Sequence, residues 1–193
     1  MALSFCIDLS ESDREQLLEI ARRSIESGLA GDNALQLGNE SSSGSLSIGL
    51  SSFVTLTRSG TLRGCVGSLE PSGPLAQSVA DSAFKAAFRD SRFAPLEAGE
   101  FEGLRIEISV LSQLEPLAVT NRADLMNRLQ PGEDGLLLQD GNYRATFLPK
   151  MWGMFSNPEK FLDRLLVKAG LPGDYWSETI SFKRYRALSF EEK

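Results

Sequence analysis

The alternation of apolar and polar residues along the chain predicts two β-hairpins. Strand-like runs at 52–57 and 61–67 flank the segment 58–60, which predicts a hairpin with a three-residue loop that contains a glycine. A second hairpin is predicted around the pair Asp140-Gly141, because apolar runs lie on both sides of it. Further strands are predicted at 103–111 and, near the end, at 178–188.

Helical spacing of apolar residues predicts three helices. The first follows a capping box formed by Ser12 and Glu15, and Gly28 is expected to end it in the left-handed conformation. The other two are predicted from Pro74 to near Asp90 and from Asn157 to Gly170. Because hairpins dominate, we expect an α+β fold with two lobes, in which mainly antiparallel or mixed sheet is covered by helices.

Composition narrows the possible chemistry. The 193 residues fit a single domain, 1–193, made of two lobes, and 41% of them are hydrophobic, which is ample for a packed core. The chain has no histidine, which excludes Ser-His-Asp and Cys-His catalysis. Two cysteines cannot build a zinc site, so no metal and no cofactor are predicted.

Charge and cysteine content also bear on partners and location. The formal net charge of -6 argues against a nucleic-acid binder, which needs a basic surface. The sequence shows neither a signal peptide nor an apolar run of about 18 residues, so no membrane segment is predicted. With only Cys6 and Cys65, a reducing compartment is expected, and we predict a cytoplasmic protein.

The segment Leu62-Arg63-Gly64-Cys65-Val66-Gly67 carries the candidate chemistry. If Leu62 and Val66 face the core, strand alternation places Arg63 and Cys65 together on the opposite face. Cys65 is then a candidate reactive thiol, with Arg63 favouring the thiolate and with Gly64 and Gly67 leaving room for a ligand. The alternative is that Cys65 is a small packing residue and that the glycines permit a bulge or close helix packing.

Three further residues are candidates for supporting roles. Arg89 and Arg92 could hold an anionic small molecule, or they could cap the helix end and pair with Asp90 or Asp81. Glu107, in the middle of a strand, could orient Arg63, carry a proton, or pair with a cation across the sheet.

These segments resemble the AMMECR domain family, called AmmeMemoRadiSam system protein A in bacteria. The family hallmark is Leu-Arg-Gly-Cys-Ile-Gly, which residues 62–67 match with Val66 in place of Ile. Other segments agree in the same order, so that the resemblance covers roughly residues 10–190; they are FVTL at 53–56, AAFRDSRFAPL at 86–96, IEISVLS at 106–112, EDGLLL at 133–138, FLPKMW at 147–152 and FLDRLLVKAGLP at 161–172.

The resemblance implies a two-lobed α+β fold with the hallmark motif in or near the cleft between the lobes. It implies no established activity, but it suggests Memo-like and radical-SAM proteins as partners. Two hypotheses therefore stand: an enzyme or enzyme component centred on Cys65, and a non-catalytic binding module or accessory subunit. Ser51-Ser52 and Lys150 depart from the family pattern, which commonly has Arg-Gly and Gln there.

Overall fold

The structure is a computed structural model that describes residues 7–31, 33–38, 44–155 and 157–193. Cys6 lies outside the described residues. The chain divides into two compact units, of which the larger contains the described residues up to Leu111 together with Leu188–Lys193. The smaller unit contains Ser112–Ala187. In the described part of the chain, no helix has the length and apolar character needed to cross a membrane.

The larger unit is built on a four-stranded sheet and two helices. Its elements are α1 (Glu11–Leu29), β1 (Ser51–Arg58), β2 (Thr61–Gly67), α2 (Leu75–Phe88), β3 (Leu104–Leu111) and β8 (Ala187–Glu191). The strand order is β2-β1-β3-β8, and β1 pairs antiparallel with both β2 and β3. One sheet face packs against α1 and α2 through fully buried side chains, namely Val54, Leu56, Ile106, Ile108 and Val110.

The smaller unit repeats this plan with different side chains. It contains β4 (Glu115–Leu117), α3 (Arg122–Arg128), β5 (Gly135–Asp140), β6 (Tyr143–Phe147), α4 (Pro158–Ala169) and β7 (Ser181–Tyr185). The strand order is β4-β7-β5-β6, with every pair antiparallel. Helix α4 buries Phe161, which stacks on Trp152 with ring centroids 3.7 Å apart. Helices on two antiparallel sheets confirm the predicted α+β class.

The ends of α1 differ from the prediction. Ser10, not Ser12, is the N-cap: its hydroxyl accepts from the Asp13 N–H at 3.2 Å, and the Asp13 carboxylate accepts from the Ser10 N–H at 2.9 Å. The helix also continues through Gly28. A Cβ there would lie 2.2 Å from the Phe88 ring, so this glycine allows α1 and α2 to approach closely rather than ending the helix.

Of the other predicted elements, one is confirmed and two differ from the structure. The α4 prediction is confirmed, since Asn157 caps its start and Gly170 is left-handed at its end. Helix α2 has 14 residues and is shorter than predicted. The single strand predicted at 178–188 is wrong, because the chain leaves one sheet after Tyr185 and enters the other at Ala187.

Candidate functional site

The β1–β2 hairpin contains a bulge inside the segment 62–67, which the resemblance identifies as the hallmark motif. Arg58 pairs with Thr61, so the loop has two residues, Ser59 and Gly60, with φ of 50° and 76°, rather than the predicted three. Further along, Thr57 pairs with Leu62 but Leu56 pairs with Gly64. Residues 62 and 63 therefore span a step that one residue of β1 covers, and Arg63 is the extra residue.

The bulge changes which side chains share a face. Residues paired across an antiparallel ladder point to the same side, so Leu62 joins Thr57 on the face that carries Cys65. Leu62 is 39% exposed, and the expectation that it faces the core is wrong. Val66 does pack against the core. Strict alternation fails here because the extra residue shifts the period by one.

A polar row crosses three strands at Cys65. Thr55 on β1 pairs with Cys65 on one side and with Glu107 of β3 on the other. The Cys65 Sγ lies 3.4 Å from the Thr55 Oγ1, within hydrogen-bonding distance for sulfur. The Ser109 hydroxyl donates to the Glu107 carboxylate at 3.4 Å. This row lies on the face opposite the two helices, because Val54 and Leu56 beside it in sequence are in the helix-covered core.

Asp90 and Arg92 bind the backbone of Cys65 at the sheet edge. The Cys65 N–H donates to Asp90 Oδ2 at 2.9 Å, and Arg92 Nη2 donates to the Cys65 carbonyl at 3.2 Å. The two side chains also pair with each other, at 2.9 Å from Nε to Oδ1 and 2.6 Å from Nη2 to Oδ2. Of the two predicted roles for Arg92, the pairing with Asp90 is therefore the one present here.

Charge is concentrated at this edge. The hydrogen bond from Arg92 holds the pKa of the Asp90 carboxyl far below its usual range, with the Cys65 N–H adding to the effect. The pKa of Arg92 is raised, first by its hydrogen bond to Asp90 and also by the negative charge of an ionised Cys65. Arg92 is thus a cation bound to the carbonyl of Cys65.

Arg63 is bound to another carboxylate. Its Nε and Nη2 donate to the two carboxylate oxygens of Glu100 at 2.8 and 2.9 Å, and Nη2 also donates to the Ala94 carbonyl. These bonds lower the pKa of Glu100 to about 2, with the Glu97 N–H contributing. Both guanidiniums are paired with a carboxylate, but only Arg92 also donates to Cys65, so the structure favours Arg92 over Arg63 as the cation that supports Cys65. The catalytic role of Arg63 stays a prediction.

The two motif glycines lie against backbone. A Cβ on Gly64 would lie 2.1 Å from the Ala86 carbonyl oxygen of α2, and one on Gly67 would lie 2.3 Å from the Ser52 carbonyl oxygen. Both positions therefore need glycine for close packing. The space beside Gly64 is filled by α2, and a ligand-binding role for either glycine stays a prediction.

A protein-family model matches most of this chain. The model of the AMMECR1 family matches residues 18–190. The chain belongs to the AMMECR1 family.

Two relatives are similar in sequence, and one solved structure is similar in fold. A protein of Methanothermobacter thermautotrophicus is 36% identical over 188 residues, which is 95% of this chain and 96% of the relative. One from Sulfurisphaera tokodaii is 37% identical over 136 residues, or 69% of this chain and 59% of its own length. The crystal structure of uncharacterized protein PH0010 from Pyrococcus horikoshii has a TM-score of 0.83 and 31% identity, covering 92% of this chain and 90% of that one.

In this AMMECR1-family chain, the remaining predicted residues do not all gather at Cys65. Glu107 does, through the polar row. Arg89 is exposed at the end of α2, and within the described ranges its side chain forms no hydrogen bond or ion pair. Asp81 accepts a hydrogen bond from Gln77 at 2.9 Å and not from either arginine. The ligand-binding roles of Arg89 and Arg92 stay predictions.

Two residues of the site were missed from the sequence. Thr55 had no clear signal, because a regular ladder counted back from Arg58 and Thr61 would pair it with Gly64, and only the bulge moves its partner to Cys65. Asp90 was considered only as a partner for the arginines, and its bond to the Cys65 N–H depends on how the segment after α2 folds. Across the described residues, no group of three or more Cys, Asp or Glu side chains is arranged to hold a metal ion.

Proposed function

We propose that this AMMECR1-family protein is an enzyme or enzyme component whose reactive group is the Cys65 thiol and whose ligand is a small anionic molecule. The observation that carries the proposal is the contact of 3.4 Å between the Cys65 Sγ and the Thr55 hydroxyl, inside a polar row. Cys65 is partly exposed, so the residue is not sealed in the core. A cytoplasmic location is part of the proposal, since a reducing compartment keeps the thiol free.

A route for the thiol proton supports this role. The Thr55 hydroxyl can accept the proton of Cys65 or donate to the thiolate. Glu107 lies directly across from Thr55, and paired residues have Cβ atoms about 4.5–5.5 Å apart. In the proposal, the Glu107 carboxylate acts as general base and takes the proton through Thr55 as the sulfur reacts. The chain has no histidine, so a carboxylate takes the role of base.

Arg92 is the proposed anion-binding group. Its side chain is 54% exposed, although Asp90 holds it in place. Nε and Nη2 carry its bonds to Asp90 and Cys65, and within the described part of the chain nothing bonds to Nη1. A carboxylate or phosphate can therefore bind Nη1 while Arg92 keeps its other contacts.

The test compares an anionic and a neutral alkylating reagent on Cys65. Iodoacetate and iodoacetamide differ little in size, so the ratio of their rates reports charge near the thiol and not accessibility. In a Cys6→Ser background, we expect Cys65 to react in the folded protein. Arg92→Gln should lower the iodoacetate-to-iodoacetamide ratio by about threefold, the effect of one charge roughly 6 Å away in water.

The control is a second exposed arginine of the same chain, and two outcomes would contradict the proposal. Arg23→Gln makes the same charge change at an exposed arginine of the larger unit and should leave the ratio unchanged. Cys65 that reacts only after unfolding would contradict the proposal of a functional thiol. An unchanged ratio in Arg92→Gln would contradict the anion-binding role.

The accessory-subunit hypothesis also has an observation in its favour. The contact between Gly64 and the Ala86 carbonyl indicates that part of the hallmark motif serves helix packing. On this alternative, the protein binds Memo-like or radical-SAM proteins and Cys65 does no chemistry. Co-purification with such a partner, unchanged by Cys65→Ser, together with an unreactive thiol, would favour the alternative.

A further inference from the structure

We propose that Asp90 and Arg92 form a clamp that positions Cys65, which makes Asp90 a positioning residue of the site. This inference rests on the proposed function, since it concerns how the thiol is held. We call the two side chains, with their bonds to the Cys65 N–H and carbonyl, the edge clamp. It involves only residues of the larger unit.

The clamp acts where the sheet has no neighbouring strand. β2 is the edge of its sheet, and the Cys65 N–H and carbonyl bind side chains beyond that edge. In an antiparallel ladder such outward groups belong to the close, non-hydrogen-bonded pairs, whose side chains approach most closely. Asp90 and Arg92 supply the acceptor and the donor that another strand would supply. The outward orientation of the backbone and the short Cys65–Thr55 contact thus go together.

The carboxylate of Asp90 is fully used in the clamp. Its Oδ1 accepts from the Arg92 N–H at 3.2 Å and from Arg92 Nε, and its Oδ2 accepts from the Cys65 N–H and Arg92 Nη2. Only 6% of the Asp90 side chain is exposed. Four hydrogen bonds to one nearly buried carboxylate leave it little freedom, so it fixes both the peptide of Cys65 and the guanidinium of Arg92.

Helix α2 sets the position of the clamp. The segment after the helix folds back, with the Leu96 N–H donating to the Ala87 carbonyl at 2.9 Å and the Phe93 N–H donating to Asp90 O at 3.1 Å. The same turn of α2 meets Gly64 through the Ala86 carbonyl. One helix end therefore contacts β2 through the glycine before Cys65 and carries the pair that holds Cys65 itself.

Two variants test the two functions of the Asp90 carboxylate separately. Asp90→Ala removes the acceptor of the Cys65 N–H, the only acceptor that the described residues offer it. Asp90→Asn keeps a carbonyl acceptor but loses the charge that holds Arg92. Amide hydrogen exchange followed by NMR measures the loss of the acceptor for the Cys65 N–H. The iodoacetate-to-iodoacetamide ratio measures the loss of the charge at Asp90. Glu102→Ala, at an exposed acid of the same unit, is the control.

The expected pattern is specific to Cys65. In Asp90→Ala, exchange of the Cys65 amide should accelerate at least tenfold while β1 and β3 amides stay within about twofold. In Asp90→Asn, that amide should stay within about threefold of the parent, but the reagent ratio should rise by about threefold, opposite to Arg92→Gln, because the negative charge beside Arg92 is lost. Glu102→Ala should change neither value.

Other patterns would overturn the inference. An unchanged Cys65 amide in Asp90→Ala would show that the carboxylate does not hold the peptide. Equal acceleration throughout the sheet would make Asp90 merely structural. If Asp90→Ala does not fold, an unchanged reagent ratio in Asp90→Asn overturns the positioning role. An unreactive Cys65 in the parent protein would instead remove the proposed function, and amide exchange would still decide the clamp.

Discussion

The two hairpins at the sheet edges differ in the regularity of their strand pairing. β1–β2 and β5–β6 each end a four-stranded sheet, and each turns through two residues. The β5–β6 ladder is regular, from Leu136 opposite Phe147 to Asp140 opposite Tyr143. The β1–β2 ladder breaks at the bulge that contains Arg63. The irregular hairpin carries the candidate site, and the regular one carries packing.

The exposed edges show the same difference. On β6, the Lys168 ammonium of α4 donates to the Thr146 carbonyl at 2.9 Å. On β2, Cys65 has both an acceptor for its N–H and a donor for its carbonyl, and these two partners are themselves an ion pair. One charged side chain is enough to satisfy an edge carbonyl. Both edge groups of Cys65 are therefore satisfied, and the proposed edge clamp gives these two contacts a positioning role.

The largest expected effect is at the glycine that lets α2 reach β2. Gly64→Ala places a Cβ 2.1 Å from the Ala86 carbonyl oxygen. Because backbone, and not a movable side chain, is the obstacle, the free energy of unfolding should fall by about 3 kcal/mol or the chain should fail to fold. Urea denaturation followed by circular dichroism measures it.

Gly99→Ala is the matched control, since no atom lies within 4 Å of the added Cβ. It should change the free energy of unfolding by less than about 0.5 kcal/mol. If Gly64→Ala were equally harmless, the motif glycine would not be there for packing, and its predicted role beside a ligand would gain weight.

The second-largest expected effect is the loss of the Tyr185 hydroxyl, which bonds from β7 to β6 of the regular hairpin. The Tyr185 ring is fully buried, and its hydroxyl donates to the Phe147 carbonyl at 3.0 Å and lies 2.6 Å from Thr146 Oγ1. Tyr185→Phe removes these bonds without removing the ring, and should lower the free energy of unfolding by about 1–2 kcal/mol. It should leave alkylation of Cys65 unchanged, because the smaller unit's core takes no part in the proposed site.

Tyr143→Phe provides the comparison, because Tyr143 is 48% exposed. Its effect in the same urea titration should be below about 0.5 kcal/mol. A change in Cys65 reactivity on Tyr185→Phe would break the division between a packing hairpin and a functional one.

The existence of both hairpins could be predicted from the sequence. The irregular pairing in β1–β2 could not, because it depends on contacts between strands. Both hairpins were predicted because turn residues interrupt apolar alternation, which is local information. A bulge was one of the alternatives for this segment, but its place could not be predicted, because the extra residue is defined by pairing with Thr57 and Leu56, not by the β2 sequence itself. A one-residue shift then misplaced Leu62.

The candidate site shows the same limit. Cys65 and Glu107 were predicted as members, and register connects them through Thr55. Arg63 was predicted to support Cys65 because strand alternation places the two on one face, yet its guanidinium binds Glu100, 37 residues further on. The cation at Cys65 is Arg92, 27 residues away in the chain. Such long-range partners are set by how α2 and the following segment fold.

The third effect is an acid sensitivity at the bulge. Arg63 lowers the pKa of Glu100 from its ordinary value of 4.5 to about 2. A lowered carboxyl pKa contributes stability that is complete above pH 4.5 and is lost as the pH falls through 2. Glu100→Gln should therefore cost about 1 kcal/mol at pH 7 and should flatten the loss of stability between these two pH values.

The measurement is the urea midpoint of parent and variant at several pH values in that range. Glu102→Gln, at a nearby exposed acid, should leave the acid slope as it is. If Glu100→Gln kept the full slope, the Arg63–Glu100 pair would not stabilise the bulge, and Arg63 would again be a candidate for supporting Cys65.

The smallest effect on stability separates function from packing within the irregular hairpin. Thr55→Val keeps the shape of the side chain and removes the hydroxyl 3.4 Å from the Cys65 sulfur. Its free energy of unfolding should change by less than about 1 kcal/mol, whereas alkylation of Cys65 in the folded protein should slow by about three- to tenfold, the value of one hydrogen bond. Thr57→Val, two residues along the same face, pairs with Leu62 and should leave the rate unchanged. Equal rates in Thr55→Val and the parent would mean that the polar row is a feature of packing, and the two hairpins would then differ only in regularity.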